Sequence, residues 1–140
     1  LAAAVAADDT ASGRRSHLTA LAARPGSLHK GRVQADLLTG GRNNAETMAL
    51  LEGFRRGEPT DRTGLAAEYF DAIEDIWRHR SGEIAQQLAR GLFPPLSRVA
   101  VERARTWIAE HQEAPAGLLR LMRESLDDAE RGLRCRERDA

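Results

Sequence analysis

Apolar residues recur along this chain at spacings of three and four. The segment from Thr63 to Arg78 shows the pattern most strongly. Leu65, Tyr69, Ile73, Ile76 and Trp77 fall on one face of a helix with Ala66 and Phe70 beside them, while Glu68, Asp71, Glu74 and Asp75 fall largely opposite. No run alternates β-branched and polar residues, and neither Asn-Gly nor Asp-Gly occurs. These patterns predict an all-α fold.

Helix punctuation divides the chain further. Asp9 or Thr10 can cap a helix reaching Arg24, where Pro25-Gly26 stops it. Ser27 can cap a second through Leu38, ended by Gly40-Gly41. Asn43 with Glu46 has the reciprocal form of a capping box, opening a helix that carries Met48, Leu51 and Phe54 on one side and ends near Gly57-Glu58-Pro59. After the 63–78 segment, Ser81 reads as an N-cap before Ile84, Leu88 and Leu92, and Phe93-Pro94-Pro95 breaks that helix. Ser97 caps the next, with Val101, Ala104 and Ile108 inward and Trp107 nearby. Pro115, at the favoured first position, starts the last, in which Leu119, Met122, Leu126, Ala129 and Leu133 form the stripe before it frays from Arg134. The sum is about seven helices with short connections, so antiparallel neighbours are expected. Unequal helix lengths and the lack of an internal repeat predict irregular helical hairpins stacked as a short, HEAT-like solenoid with no interdomain linker.

Charge and cysteine content exclude some functions. Acidic and basic residues number 21 each, so no net field draws the chain to nucleic acid or to an anionic membrane. The apolar stretch from Leu1 to Ala7 is too short to span a bilayer and lacks the basic start of a signal peptide. It reads as the tail of a helix that begins upstream, and a start at Leu1 suggests that the natural N-terminus precedes it. The single cysteine, Cys135, precludes an internal disulfide, and a reducing cytoplasm is the expected compartment.

Four collinear stretches carry a family resemblance. The first is Asp9-Thr10-Ala11-Ser12-Gly13-Arg14-Arg15 with Leu21-Ala22-Ala23-Arg24-Pro25. The second is Leu65-Ala66-Ala67-Glu68-Tyr69-Phe70 with Asp75-Ile76-Trp77-Arg78. The third is Glu83-Ile84-Ala85-Gln86-Gln87 with Gly91-Leu92-Phe93-Pro94. The last is Leu118-Leu119-Arg120-Leu121-Met122-Arg123-Glu124 with Arg131-Gly132-Leu133-Arg134. In order and spacing they resemble the end of bacterial aminopeptidase N of the actinobacterial type. A departure is Val33, where that family usually has a tryptophan between Lys30 and Gln34, and the Gly- and Asn-rich Thr39–Asn44 loop after it.

The resemblance implies that residues 1–140 are the last part of the C-terminal helical domain of a zinc aminopeptidase. In such an enzyme two His and a Glu hold zinc, a glutamate serves as general base, and a second acidic motif binds the free amine of a peptide. The helical domain closes over the catalytic domain of the same polypeptide and forms one wall of a chamber, limiting which peptides reach the metal. A free-standing helical module that binds a protein partner is the alternative, and a nucleic-acid binder, resting only on the arginine count, is a third.

The chemistry itself is absent from the sequence. His17, His29, His79 and His111 are followed by Leu, Lys, Arg and Gln, so none starts the His-Glu-x-x-His motif that puts two imidazoles one turn apart on a helix. Gly-x-Met-Glu-Asn is absent too, because Met48 and Met122 precede Ala and Arg. No catalytic, cofactor-binding or metal-binding residue is assigned, and zinc is not expected to bind this segment. Cys135 reads as a surface thiol rather than a nucleophile, and Glu68, Asp71, Glu74 and Asp75 as a solvated face rather than a metal site. Tyr69, Phe70, Trp77 and Trp107 read as core rather than a ligand pocket. Arg120, Arg123, Arg131 and Arg134, interleaved with Glu124, Asp127, Asp128 and Glu130, read as ion-paired surface rather than a phosphate site.

Overall fold

The computed structural model describes residues 2–140, with residues 2–9 described as helical backbone alone. Its elements are α1 (Ala2–Ala22), α2 (Ser27–Thr39), α3 (Asn44–Phe54), a 3₁₀ helix (Pro59–Leu65), α4 (Ala66–His79), α5 (Gly82–Gly91), α6 (Arg98–Glu110) and α7 (Ala116–Asp139). No strand occurs among the described residues. Any segment preceding Leu1 lies outside them. The chain forms two compact units, residues 1–61 and 62–140, and the division falls inside the 3₁₀ helix, where no linker composition marks it.

In the first unit α1 packs chiefly on α3 rather than on its sequence neighbour α2. Small residues allow this. Ala49 and Gly53 lie one turn apart on α3, and a Cβ at Gly53 would overlap the Thr19 carbonyl oxygen and come within 2.8 Å of the Ala22 Cβ. The Thr19 hydroxyl shares its proton between the carbonyls of Arg15 and Ala49, each 3.1 Å away.

Helix ends in this unit are capped from α2. The last turn of a helix leaves carbonyls without partners and carries partial negative charge. His29 donates through Nε2 to the Leu21 carbonyl at 2.6 Å. The Lys30 ammonium, fully buried, donates to the carbonyls of Ala22 at 2.7 Å and Gly53 at 3.1 Å, so one cation serves the C-terminal ends of both α1 and α3. It also lies 5.8 Å from the centre of the Phe54 ring.

Several boundaries differ from the sequence expectation. Helix α1 runs unbroken through Asp9 and Thr10, which therefore do not start a helix, and it stops at Ala22 rather than Arg24. Ser27 is the first residue of α2, and the cap position belongs to Gly26, whose φ of 108° is open to glycine alone among the common residues. Gly40, in the left-handed region at φ 76°, ends that helix as expected. Asn43 accepts from the Glu46 amide at 2.8 Å, but the reciprocal bond runs between the two side chains, from Asn43 Nδ2 to Glu46 Oε1 at 2.7 Å. Helix α3 buries Leu51 and Phe54, while Met48 is half-buried and Thr47, Ala49 and Leu50 take the inward places beside them.

In the second unit α4 packs on α5 and α6, and both of these pack on α7. The core centres on Tyr69, which meets Phe70 and Phe93 edge-on at 4.9 and 5.9 Å and donates its hydroxyl proton to the Ala89 carbonyl at 2.6 Å. Its hydroxyl also lies 3.6 Å from the Met122 sulfur. Ile73, Leu88, Leu118 and Met122 are fully buried in the same unit.

The stripes are shifted in places. Leu65 belongs to the 3₁₀ helix and, like Trp77, is half-buried. Trp107 faces inward on α6 where Ile108 was expected, because its indole N–H donates to the Phe70 carbonyl at 3.1 Å. Ser81 makes no side-chain cap, whereas the Ser97 hydroxyl accepts from the Ala100 amide at 3.1 Å. Pro115 stands at the N-cap of α7 rather than inside it. Leu118 and Leu121 join Leu119 and Met122 in the core, while Leu126, Ala129 and Leu133 are half-buried. At 1.5 Å per residue, α7 is about 36 Å long and α6 about 20 Å, and the far turns of α7 lie beside the start of α6. They do not fray at Arg134. Pairs of Arg98 with Glu137 and Arg131 with Asp128, and a bond from Arg136 to the Leu96 carbonyl, accompany the helix to Asp139.

Candidate functional site

The outward face of α6 is a stripe at helical spacing: Val99, Glu102, Arg103, Thr106, Glu110. Beside it, on α4, stand Phe70 and Asp71. Between the two helices runs an open groove of about 600 Å³ lined by these residues, Trp107 and His111. The Trp107–Phe70 hydrogen bond ties α6 to α4 and so fixes the floor. Trp107 is 4% exposed and Phe70 8%, whereas Val99 stands 56% exposed on the groove wall.

At the C-terminal end of α6, His111 stacks on Trp107 with ring centres 4.4 Å apart and planes 7° from parallel. Its Nδ1 is 2.7 Å from the Trp107 carbonyl oxygen. A carbonyl only accepts, so Nδ1 carries the proton and the stacked ring is fixed in orientation.

Charge in the groove is not internally balanced. Asp71, Glu102 and Glu110 are exposed carboxylates, Arg103 is the only guanidinium lining the groove, and none of the four has a side-chain partner among the described residues. The other edge of α6 differs. There Arg98 pairs with Glu137, and Arg105 with Glu130 at 3.4 Å, closing that side against α7.

The residues singled out from sequence are dispersed. Tyr69 is fully buried and, with Phe70 and Trp107, belongs to the core, though the last two also reach the groove. Burial pushes the Tyr69 phenol far above its ordinary range, so it is a neutral hydrogen-bond donor. Trp77 is half-buried, with its ring against Gly117. Glu68, Asp71 and Asp75 are exposed and Glu74 half-exposed, the last 3.8 Å from Arg78. Arg131 pairs with Asp128 at 2.8 Å and Arg134 with Glu130 at 4.0 Å, Arg123 meets Gln112 at 3.5 Å, and Arg120 has no side-chain partner. Cys135 is an exposed thiol 3.4 Å from Arg138.

The four histidines stand apart. His17 is exposed, His29 is bonded to Leu21, His79 lies on the surface beside Asp75, and His111 is stacked on Trp107. Among the described residues no three of His, Cys, Asp and Glu stand close enough together to hold a metal ion. The donor set for zinc is therefore not found here. Nor is any described helix long and apolar enough to cross a membrane.

The groove escaped the sequence reading because its walls come from two helices with all of α5 between them in the chain. The available signal was the polar stripe on α6, indistinguishable from any solvated helix face until α4 is set beside it.

By class this is an all-α chain with a charged, open groove between α4 and α6. The chain belongs to the ERAP1-like C-terminal domain family, whose profile matches residues 1–131. It is also 38% identical to the aminopeptidase N of Streptomyces lividans, over 141 aligned residues that cover 95% of this chain. The match spans only 16% of that protein's length. No solved structure matches the chain.

Proposed function

We propose that residues 1–140 form the last part of the helical cap of a zinc-dependent aminopeptidase, acting with a catalytic domain elsewhere in the same polypeptide. The cap shapes the chamber through which peptides reach the metal, and takes no part in the bond-breaking step. The carrying observation is the family match over residues 1–131, joined to a sequence with neither His-Glu-x-x-His nor Gly-x-Met-Glu-Asn. Zinc in such an enzyme supplies Lewis-acid activation of water. Among the described residues no ligand set for it is found, and this chain's residues exclude and orient peptides instead. A single thiol and no disulfide fit a cytoplasmic setting.

The test compares the longer polypeptide with and without this segment on peptides of increasing length and on a single aminoacyl amide. Removal is expected to weaken discrimination by length while the zinc content of the catalytic part is retained. Length discrimination that survives removal unchanged, or hydrolysis by this chain alone when zinc is added, would sink the proposal.

A further inference from the structure

We propose that the groove between α4 and α6 is a docking site for an extended peptide segment carrying lysine or arginine side chains. The inference rests on the cap reading above and names the peptide chemistry that the cap would favour.

Three observations carry it. The groove, at about 600 Å³, is large enough for a few side chains and open enough for a chain to lie along it. Its charge is unspent, because Asp71, Glu102 and Glu110 share the groove with one guanidinium, Arg103, and none of these groups is paired among the described residues. Net negative charge in a concave site attracts cations and repels acidic segments. The walls are also amphipathic. Val99 stands 56% exposed one turn before Glu102 on α6, and Phe70 lines the same groove from α4. A lysine or arginine side chain matches this pattern, laying its methylene stem on Val99 and Phe70 and its charged head among the carboxylates. An acidic peptide would meet like charge, and a purely apolar one would bury the carboxylates without a partner.

The groove also carries its own reporter. Trp107 forms the floor, while the chain's only other tryptophan, Trp77, packs against Gly117 and does not line the groove. The 140-residue chain, labelled with nitrogen-15, is titrated with a blocked peptide of alternating lysine and glycine and, separately, with its glutamate counterpart. The expected result is a saturable shift of the Trp107 indole signal with the lysine peptide only, fading as salt rises. Asp71→Asn with Glu102→Gln, both exposed positions, should leave helix content unchanged and weaken binding about tenfold. Absence of a saturable Trp107 shift, equal response to both peptides, or undiminished binding by the double variant would each overturn the proposal. Because the titration uses this chain alone and the cap test uses the longer polypeptide, either can fail without the other.

Discussion

The ammonium of Lys30 lies 2.7 Å from the carbonyl oxygen of Ala22, the last residue of α1, with no exposure to solvent. Its second bond, to Gly53 near the end of α3, makes this one lysine a shared cap for two helices. Burying a charge is costly unless its partners are in place, and here they are the electronegative ends of two helix dipoles. Lys30→Met keeps the stem but leaves both carbonyls without that donor. The expected loss is about 2–3 kcal/mol, with faster amide exchange confined to α1–α3. Hydrogen exchange read by mass spectrometry checks this. A variant as stable as the parent would show that the carbonyls find other partners.

Gly53 sets how closely α1 and α3 approach. Replacing it with alanine favours the helix by about 1 kcal/mol on propensity alone. The new methyl group, however, would collide with backbone at Thr19 and with the Ala22 Cβ, neither of which is a flexible tip. The collision dominates, and Gly53→Ala should destabilise by about 1–3 kcal/mol. Urea unfolding followed by circular dichroism reads the sign directly.

Tyr69 is the only tyrosine, which makes its ionisation visible in isolation. Its folded-state pKa is raised by burial, so the folded protein holds the phenolic proton more tightly than the unfolded chain does. That contribution to stability is fully present below the unfolded value near 10 and declines as pH climbs above it. Absorbance at about 295 nm should therefore stay flat through ordinary tyrosine titration and rise only with loss of helical circular dichroism. Phenolate appearing near pH 10 with the helices intact would contradict the burial.

Ser97 and Ser81 look alike in sequence, each ahead of an apolar-periodic run, yet only Ser97 accepts a hydrogen bond from its helix. Ser97→Ala should cost about 1 kcal/mol, and Ser81→Ala a small fraction of that. Paired thermal melts of the two variants decide it, and equal costs would refute the distinction.

Arg42 tests the surface. It makes three hydrogen bonds to Asp36 and a fourth to Glu46, which also pairs with Arg14 at 3.2 Å. The hydrogen bonds to Asp36, ahead of any charge effect, raise its pKa. Because the cluster is partly exposed, Arg42→Met should cost under about 1 kcal/mol, and added salt should shrink even that. Denaturant midpoints at low and high salt measure both.

Local signals in the sequence determined the helices, because helix formation and termination depend on neighbours a few residues away. Gly40 after Leu38, Asn43 before Glu46, and the 69–73–76 stripe all act within one or two turns. The family resemblance was legible for the same reason, as an ordered series of such local patterns. Long-range relationships were not. Lys30 reads as an ordinary exposed cation until α1 and α3 converge on it, and Gly53 as a weak spot in a helix until Thr19 lies against it. The groove has no sequence signature, since Asp71 and Glu102 come to line one groove only when the indole of Trp107 pins α6 to α4. Periodicity specifies which face of a helix is apolar. Which partner that face meets, and which polar residues are thereby brought together, is decided by packing among elements distant in the chain.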